Sequence, residues 1–254
     1  MAQEITQPNY YMKVSKLPSN KPELFYSIQG EGFSAGIPSI FLRLALCNLQ
    51  CKWCDTPYTW NWEGTNYETV SGQKFKKEDS IINLSVSEII REFERFPSEH
   101  LIITGGEPLI QQKEISELVD ALEFHWSIEI ETNGTIIPDA ISMEKDVQYN
   151  VSPKLPHSGN DMDKAIKPEV IEWFVSYENS FFKFVIGEEK DLELVVDLQY
   201  MYRIPPWRII LMPKGTTTSE IKQCAKTVAE LCLSHGYRYS DRAHVHIWGD
   251  ERAK

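Results

Sequence analysis

A chain of 254 residues with 42% hydrophobic residues can bury a full core, and it fits one large α/β domain as readily as two small ones. The formal net charge of −11 argues against a nucleic-acid partner, because proteins that bind phosphate backbones normally present a basic surface. No apolar run approaches the ~20 residues that cross a bilayer, so we expect no membrane span and a cytoplasmic protein whose thiols stay reduced.

The elements alternate along the chain. Residues 1–20 are expected to be either loosely ordered or an edge strand. Beyond them, short apolar segments alternate with longer amphipathic ones, which is the pattern of parallel strands joined by crossover helices. The predicted strands are 39–46, 101–104, 127–131, 147–151, 181–186 and 207–212. The predicted helices are 85–96, 111–124, 191–202 and 217–235. Ser85 and Glu88 predict a capping box at the start of the first helix.

This alternation predicts a partial barrel. Six strands are too few to close an eight-stranded barrel, so we expect an open β/α barrel within a single domain that spans residues 1–254. The polar segment 61–83 interrupts the pattern and is interpreted as an insertion near the site. Functional residues of parallel α/β folds collect at the carboxyl ends of the strands, so the segments after the predicted strands are candidates.

Three of the five cysteines, Cys47, Cys51 and Cys54, follow the first predicted strand closely. Thiolates favour zinc, copper(I) or iron-sulfur clusters, and a 4Fe-4S cluster usually takes four of them. Three close cysteines would leave one iron open to another ligand. A zinc site, a disulfide framework, a Cys-x-x-Cys redox pair and a chance cluster are the alternatives. Cys224 and Cys232 lie in a helical pattern and are expected to pack as small apolar side chains.

Polar motifs end the next three predicted strands. Gly105 and Gly106 follow the second strand and precede Glu107. Paired glycines let a backbone approach a ligand, and a neighbouring carboxylate can accept hydrogen bonds from an ammonium group. The segments 129–134 and 150–154 end the third and fourth strands with polar residues. Ordinary turn chemistry is the alternative explanation for all three motifs.

Two features near the first strand are candidates for substrate recognition. The segment 25–32 is a glycine-punctuated turn that carries Gln29, whose amide could recognise a heterocycle edge with both a donor and an acceptor. Arg43 lies within the first strand, where an inward guanidinium would suit a substrate carboxylate. A polar turn and a surface arginine are the alternatives.

The cysteine spacing, Cys-x3-Cys-x2-Cys with Trp53 before the last cysteine, resembles the signature of radical S-adenosylmethionine (SAM) enzymes. In that superfamily three thiolates hold a 4Fe-4S cluster, and SAM chelates the fourth iron and is cleaved to a 5′-deoxyadenosyl radical. The resemblance implies a partial barrel with the cluster on Cys47, Cys51 and Cys54, and with Trp53 near the adenine. The other cofactor contacts that it implies are Gly106, Glu107, Ser152, Pro153, Lys154 and Met212.

Within that superfamily, the chain resembles the 7-carboxy-7-deazaguanine synthase family, closely from residue 25 to about 154 and more loosely beyond. The segment 244–249 resembles the terminal region that closes toward the substrate. The resemblance implies contraction of 6-carboxy-5,6,7,8-tetrahydropterin to 7-carboxy-7-deazaguanine with loss of ammonia, in queuosine and 7-deazapurine biosynthesis. The substrate contacts that it implies are Ile28, Gln29, Gly30, Arg43 and Thr104.

The same resemblance implies a Mg²⁺ ion held by Thr56, an external reductant such as a flavodoxin or ferredoxin, and a homodimer. A glycyl-radical-activating enzyme is the alternative enzyme, and an iron-sulfur or zinc module without turnover is the alternative that is not an enzyme. The Gln29 turn and Arg43 favour a small carboxylated heterocycle over a protein substrate.

Overall fold

The computed structural model describes residues 11–141, 145–249 and 251–254. In these ranges ten strands form one sheet: β1 (Tyr11–Ser15), β2 (Leu24–Ile28), β3 (Pro38–Leu44), β4 (Ile81–Ser85), β5 (His100–Gly105), β6 (Ser127–Thr132), β7 (Gln148–Val151), β8 (Ser180–Ile186), β9 (Ile209–Pro213) and β10 (Arg238–Tyr239). The helices are α1 (Lys77–Ser80), α2 (Val86–Phe93), α3 (Gln112–Ala121), α4 (Met162–Ala165), α5 (Pro168–Ser176), α6 (Asp191–Tyr202), α7 (Thr218–His235) and α8 (Ala243–Trp248). None of the helices in these ranges has the length and apolarity to cross a membrane.

Seven strands run parallel in the order β3, β5, β6, β7, β8, β9, β10. Parallel neighbours need long crossovers, and α3, α5, α6 and α7 lie in four of them. On the other side β1 and β2 pair antiparallel with β3, and β4 pairs antiparallel with β1. Within the described part of the chain the edge strands β10 and β4 do not pair, so the barrel is open. The predicted open, mostly parallel barrel is confirmed.

The two faces of the parallel strands differ in chemistry, because successive side chains of a strand point to opposite sides. One face is apolar and packs against the helices in a continuous core that includes Leu42, Ile103, Ile130, Phe182 and Leu211. The opposite face lines the barrel interior and is mostly polar. Its members include Arg43, Thr104, Glu129, Glu131, Asn150 and Lys183. The register pairs Arg43 with Thr104 and Glu131 with Asn150, so the polar side chains of neighbouring strands lie side by side.

All six predicted strands are present, with ends displaced by at most two residues. The four predicted helices are also present, and the capping box of Ser85 and Glu88 is formed. The helices α2 and α3 end three residues early, at Phe93 and Ala121. Residues 94–97, which follow α2, form turns and bends instead of a further helical turn.

Three expectations about the remaining segments need correction. The expectation for residues 1–20 can be compared with the structure only from residue 11, because residues 1–10 lie outside the described ranges. Residues 11–15 form β1, which lies between β3 and β4 rather than at an edge, and Met12 and Val14 are fully buried. The first part of the predicted turn 25–32 is β2, because its backbone pairs with β3. The polar segment 61–83 ends in α1 and the first half of β4. The pairing of β1 with β3 and β4 joins residues far apart in the sequence, and β2 pairs with β3 across residues 29–37. Local sequence does not reveal either pairing.

Candidate active site

A cavity of about 1010 Å³ occupies the barrel interior, where the carboxyl ends of the parallel strands meet. The three cysteines line it, as do candidates from widely separated strands such as Ile28 and Met212. Among the residues that the structure describes, Glu107 and Pro153 are the predicted site residues that do not line it. The fold therefore brings the rest of the predicted site together around one space.

The cysteine loop begins where β3 ends, and its first turn is fixed by backbone hydrogen bonds. Leu46 has a left-handed φ of 79°; its N–H donates to the carbonyl of Thr59 at 2.9 Å, and its carbonyl accepts from the N–H of Glu107 at 2.8 Å. A Cβ on Gly106 would lie 2.1 Å from the Leu46 carbonyl oxygen and 3.0 Å from Cβ of Cys47. The absence of a side chain at Gly106 therefore lets β5 pack directly on the cysteine loop.

Each cysteine sulfur has an N–H donor. The amide Nδ2 of Asn160 donates to Sγ of Cys51 at 3.2 Å, and the indole Nε1 of Trp60 donates to Sγ of Cys54 at 3.3 Å. A backbone N–H serves the sulfur of Cys47. Donors of this kind stabilise thiolates that bind iron, and they are a regular part of iron-sulfur sites.

Burial is the main influence on the three thiols. It raises the pKa of Cys47 to about 12 and that of Cys54 to about 11, and it also raises the pKa of Cys51. Bound iron would displace these protons. In the described ranges no three His, Cys, Asp or Glu side chains converge on a single metal ion. A 4Fe-4S cluster binds its thiolates at separate irons, so the donor set fits a cluster.

The carboxylate of Glu107 links the segments at the ends of β5 and β6 by hydrogen bonds. It is fully buried and accepts hydrogen bonds from the Thr132 hydroxyl at 2.8 Å and from the N–H groups of Asn133 and Leu109 at 2.6 and 3.0 Å. It therefore does not reach the cavity, in contrast to the predicted contact with an ammonium group. Pro153 also departs from prediction, because only its neighbours on either side line the cavity.

An aromatic and basic wall adjoins the cysteines. The indole of Trp53 stacks on His157 with ring centroids 5.3 Å apart, and its Nε1 donates to the His157 carbonyl at 3.1 Å. The ammonium groups of Lys154 and Lys214 each lie 5.9 Å from the Trp53 ring. Lys154 also donates to the hydroxyl of Ser152 at 3.0 Å. His157 and Lys214 were not among the predicted site residues, although Met212, two residues before Lys214, was.

On the opposite wall, the side chain of Gln29 is already engaged. Its Nε2 donates to Glu129 at 3.0 Å and to Glu131 at 3.3 Å, and its Oε1 accepts from the N–H of Glu31 at 3.2 Å. The predicted role of this amide in reading a heterocycle is therefore restricted, although the residue lines the cavity. The hydroxyl of Thr104 donates to Glu131 at 2.7 Å, so Glu131 links β5, β6 and the loop after β2 at this wall.

The guanidinium of Arg43 points into the interior, as predicted. Its Nε donates to Glu23 at 3.1 Å, and the same carboxylate oxygen accepts from the Tyr58 hydroxyl at 3.1 Å. Burial of Glu23 alone would raise its pKa, but the guanidinium of Arg43 and a second arginine hold the pKa below its usual value. Glu23 is therefore an ionised, buried anchor for Arg43.

The carboxyl-terminal tail closes over the same cavity. The N–H of Ala243 donates to the carbonyl of Gly30 at 2.9 Å. Farther along, Arg252 donates to Glu23 at 2.6 Å, and its guanidinium lies 3.6 Å from the centroid of the Tyr58 ring. The tail residues that line the cavity are Arg242, His244, Val245, Gly249 and residues 251–254. The expected closure of the tail toward the site is thus seen in the described residues.

A group of largely buried charges, with the half-exposed Asp55 at its edge, was not predicted from the sequence. Glu31 accepts from Lys183 at 2.5 Å and from Arg242 at 2.8 Å, and Arg242 also donates to Asp55 at 2.5 Å. Although burial opposes it, the charges of Lys183 and Arg242 hold the pKa of Glu31 well below its usual range. A lysine inside the apolar run of β8 was a signal that could have identified Lys183.

Glu129 is enclosed within the barrel interior. It is fully buried and accepts further hydrogen bonds from Ser34, from Asn150 and from Gln148, the last at 2.9 Å. Burial, with the nearby carboxylate of Glu131, raises the pKa of Glu129 to about 7. The interior thus combines one carboxyl group that titrates near neutrality with several charges that do not.

Comparisons with known proteins agree with this geometry. The model of the Radical SAM superfamily matches residues 44–170, which include the cysteine loop and the ends of β5, β6 and β7. The crystal structure of QueE from Escherichia coli superimposes with a TM-score of 0.66 at 25% identity, covering 92% of this chain and 95% of that one.

Several curated relatives share one name. The 7-carboxy-7-deazaguanine synthase of Pyrobaculum aerophilum is 32% identical over 234 residues, covering 91% of this chain and 96% of the relative. That of Halobacterium salinarum is 34% identical over 260 residues, covering 92% and 91%. That of Escherichia coli is 29% identical over 233 residues, covering 89% and 96%. These matches favour the synthase over a glycyl-radical-activating enzyme or a metal-binding module. The chain belongs to the 7-carboxy-7-deazaguanine synthase family within the radical SAM superfamily.

Proposed function

We propose that the protein contracts the ring of 6-carboxy-5,6,7,8-tetrahydropterin to 7-carboxy-7-deazaguanine and releases ammonia, in the biosynthesis of queuosine and related 7-deazapurines. One observation carries this proposal: the three cysteines and a wall of buried charged side chains share a cavity of about 1010 Å³. That volume suits a cofactor together with a small heterocycle. The relatives named above support the product.

The 4Fe-4S cluster would be held by Cys47, Cys51 and Cys54. SAM would contact Trp53, the backbone at Gly106, and the neighbouring side chains Ser152, Lys154 and Met212. When bound, the cluster and SAM supply hydrogen-atom abstraction, which no side chain of this cavity can perform. The contribution of the protein is to bind, orient and exclude water.

The substrate would lie against the charged wall. Arg43 is held by Glu23 and directs its remaining donors inward, where they suit the pterin carboxylate. Thr104 and the partly exposed carboxylate of Glu131 offer hydrogen-bonding groups to the ring. Ile28 and Gly30 supply backbone and apolar contacts beside them. The tail closes the mouth and limits access of water.

A Mg²⁺ ion would be held by Thr56. Its hydroxyl oxygen lies 3.7 Å from Sγ of Cys54 and lines the cavity, beside the cluster loop. A hydroxyl is a hard ligand that suits Mg²⁺, which keeps most of its coordination for water and substrate oxygens. The ion would polarise a carboxylate or ring oxygen of the substrate.

We further propose that the whole chain acts as one domain, in a cytoplasmic homodimer that receives electrons from a flavodoxin or ferredoxin. Reduced cluster thiolates require a reducing compartment, which supports this location. Symmetric dimers are the commonest soluble oligomers. The acidic net charge of −11 supports a small-molecule substrate rather than a nucleic acid.

The test is anaerobic reconstitution followed by incubation with the tetrahydropterin, SAM and dithionite. We expect about four irons per chain and formation of 7-carboxy-7-deazaguanine, detected by mass spectrometry. A glycyl radical formed on an added protein, without deazaguanine, would favour the alternative enzyme. A stable single zinc would exclude the radical mechanism, and cleavage of SAM without product would refute the proposed substrate.

A further inference from the structure

We propose that Trp60 and Asn160 set the reduction potential of the cluster, by donating hydrogen bonds to the sulfurs of Cys54 and Cys51. This inference rests on the proposed function in one respect, the presence of a cluster on these cysteines. The inference goes beyond the proposed function because it assigns the control of electron transfer to two residues outside the cysteine motif.

Trp60 is held rigidly beside its sulfur. Its side chain is 5% exposed, and Nε1 lies 3.3 Å from Sγ of Cys54. The ring of Tyr67 packs edge-on at 6.1 Å between centroids. Lys74 ties the covering segment together, since its ammonium donates to Asn61 at 2.7 Å and to Thr65 at 3.0 Å. Residues of the polar segment 61–76 therefore cover part of the buried Trp60 side chain.

The orientation of Asn160 is determined by its neighbours. Its Oδ1 accepts from the backbone N–H of Gln50 at 2.8 Å, so the oxygen must face that group. The amide Nδ2 is thereby directed toward Sγ of Cys51 at 3.2 Å, and it also donates to the hydroxyl of Ser158 at 3.0 Å. If the amide were flipped, Nδ2 would face the N–H of Gln50, and both groups would be donors. Only the observed orientation therefore satisfies both contacts.

The direction of the effect follows from electrostatics. Reduction adds negative charge to the cluster and its sulfurs, and an N–H donor stabilises that charge more than it stabilises the oxidised state. The effect is enlarged in a buried site, because the low dielectric strengthens the interaction. Both donors should therefore raise the potential and make the cluster easier to reduce.

The experiment is a redox titration of the reconstituted protein, monitored by the electron paramagnetic resonance signal of the reduced cluster. We expect W60F and N160D each to shift the midpoint potential to more negative values, N160D more strongly because it also adds a negative charge. N160D retains the oxygen that binds Gln50. The matched control is W62F, since Nε1 of Trp62 donates to the Tyr58 carbonyl at 3.3 Å and not to sulfur.

A second measurement uses only the wild-type protein, so it does not depend on whether a variant is stable. In the wild-type protein, pulsed magnetic resonance in H₂O and D₂O should detect exchangeable protons coupled to the reduced cluster, in addition to the backbone N–H near Cys47. Equal midpoint potentials for wild type, W60F and N160D, or no such side-chain protons, would overturn the inference while leaving the proposed reaction intact. Absence of a cluster from the wild-type protein would overturn both.

Discussion

The guanidinium of Arg252 lies 2.6 Å from the carboxylate of Glu23, although 229 residues separate them in the chain. Glu23 is 1% exposed and also holds Arg43, so one buried carboxylate links the tail to the arginine that faces the cavity. Closure of the tail and placement of Arg43 are therefore coupled through a shared partner.

The variant Arg252→Ala tests this coupling. A partly exposed ion pair contributes about 1 kcal/mol, so we expect KM for the pterin to rise about fivefold with a smaller effect on kcat. Limited proteolysis should cleave the freed tail faster. Lys226→Ala is the matched control, because the exposed Lys226 also forms an ion pair, 3.8 Å from Glu230 on α7, but does not line the cavity. Equal KM values for the two variants would show that the tail closes without this ion pair.

The two groups of cysteines should behave differently. Cys51→Ala removes a proposed cluster ligand, and we expect loss of activity together with loss of the iron-sulfur absorption. Cys232 is 4% exposed on α7 and packs in the core, so Cys232→Ala should lower stability by about 1–2 kcal/mol and leave iron content and turnover largely intact. Iron analysis and thermal denaturation measure both effects, and the reverse pattern would mean that the cluster ligands are misassigned.

Gly106→Ala should disrupt the cluster loop. The new Cβ would lie 2.1 Å from the Leu46 carbonyl oxygen, so the backbone must move, at a cost of about 3 kcal/mol. We expect reduced iron content after reconstitution and a lower melting temperature. Gly72→Ala is the control, since its Cβ would meet nothing within 4 Å and only its φ of 63° opposes the change. Full iron content in Gly106→Ala would contradict the close approach.

Stability should depend on pH through Glu129. Burial raises its pKa from 4.5 to about 7, so between these values the folded state retains a proton that the unfolded state has lost. The contribution of Glu129 to stability is therefore greatest below pH 4.5 and declines as the pH rises to about 7. The difference is up to about 3 kcal/mol.

Denaturant unfolding of the apoprotein from pH 5 to 8 measures this contribution. We expect Glu129→Gln to remove that part of the decline, so the two pH profiles should converge at low pH and separate above neutrality. Glu99→Gln is a suitable control, because Glu99 has an exposed side chain. Parallel profiles for wild type and Glu129→Gln would show that the carboxyl group is already ionised in the folded protein.

The apolar content of the chain was sufficient to predict six of the seven parallel strands, since a buried strand such as β8 is mostly apolar, with Ser180 and Lys183 as its exceptions. The short strand β10 was not predicted. Apolar content was also insufficient for β1 and β2, whose strand conformation depends on pairing with β3. The same limit applies to side-chain direction. Glu107 adjoins the glycines in sequence, yet it points into the sheet, while Arg242 reaches Asp55 across 187 residues.

The hydrogen bonds of Gln29 to Glu129 and Glu131 have a consequence for ligand affinity. They join the loop before β3 to the middle of β6, so this part of the cavity wall is rigid before a ligand enters. Ordering of flexible loops is a large part of the entropic cost of binding, and here that cost is met during folding. Preorganisation of this wall therefore favours selectivity, because a ligand of different shape cannot remodel it cheaply.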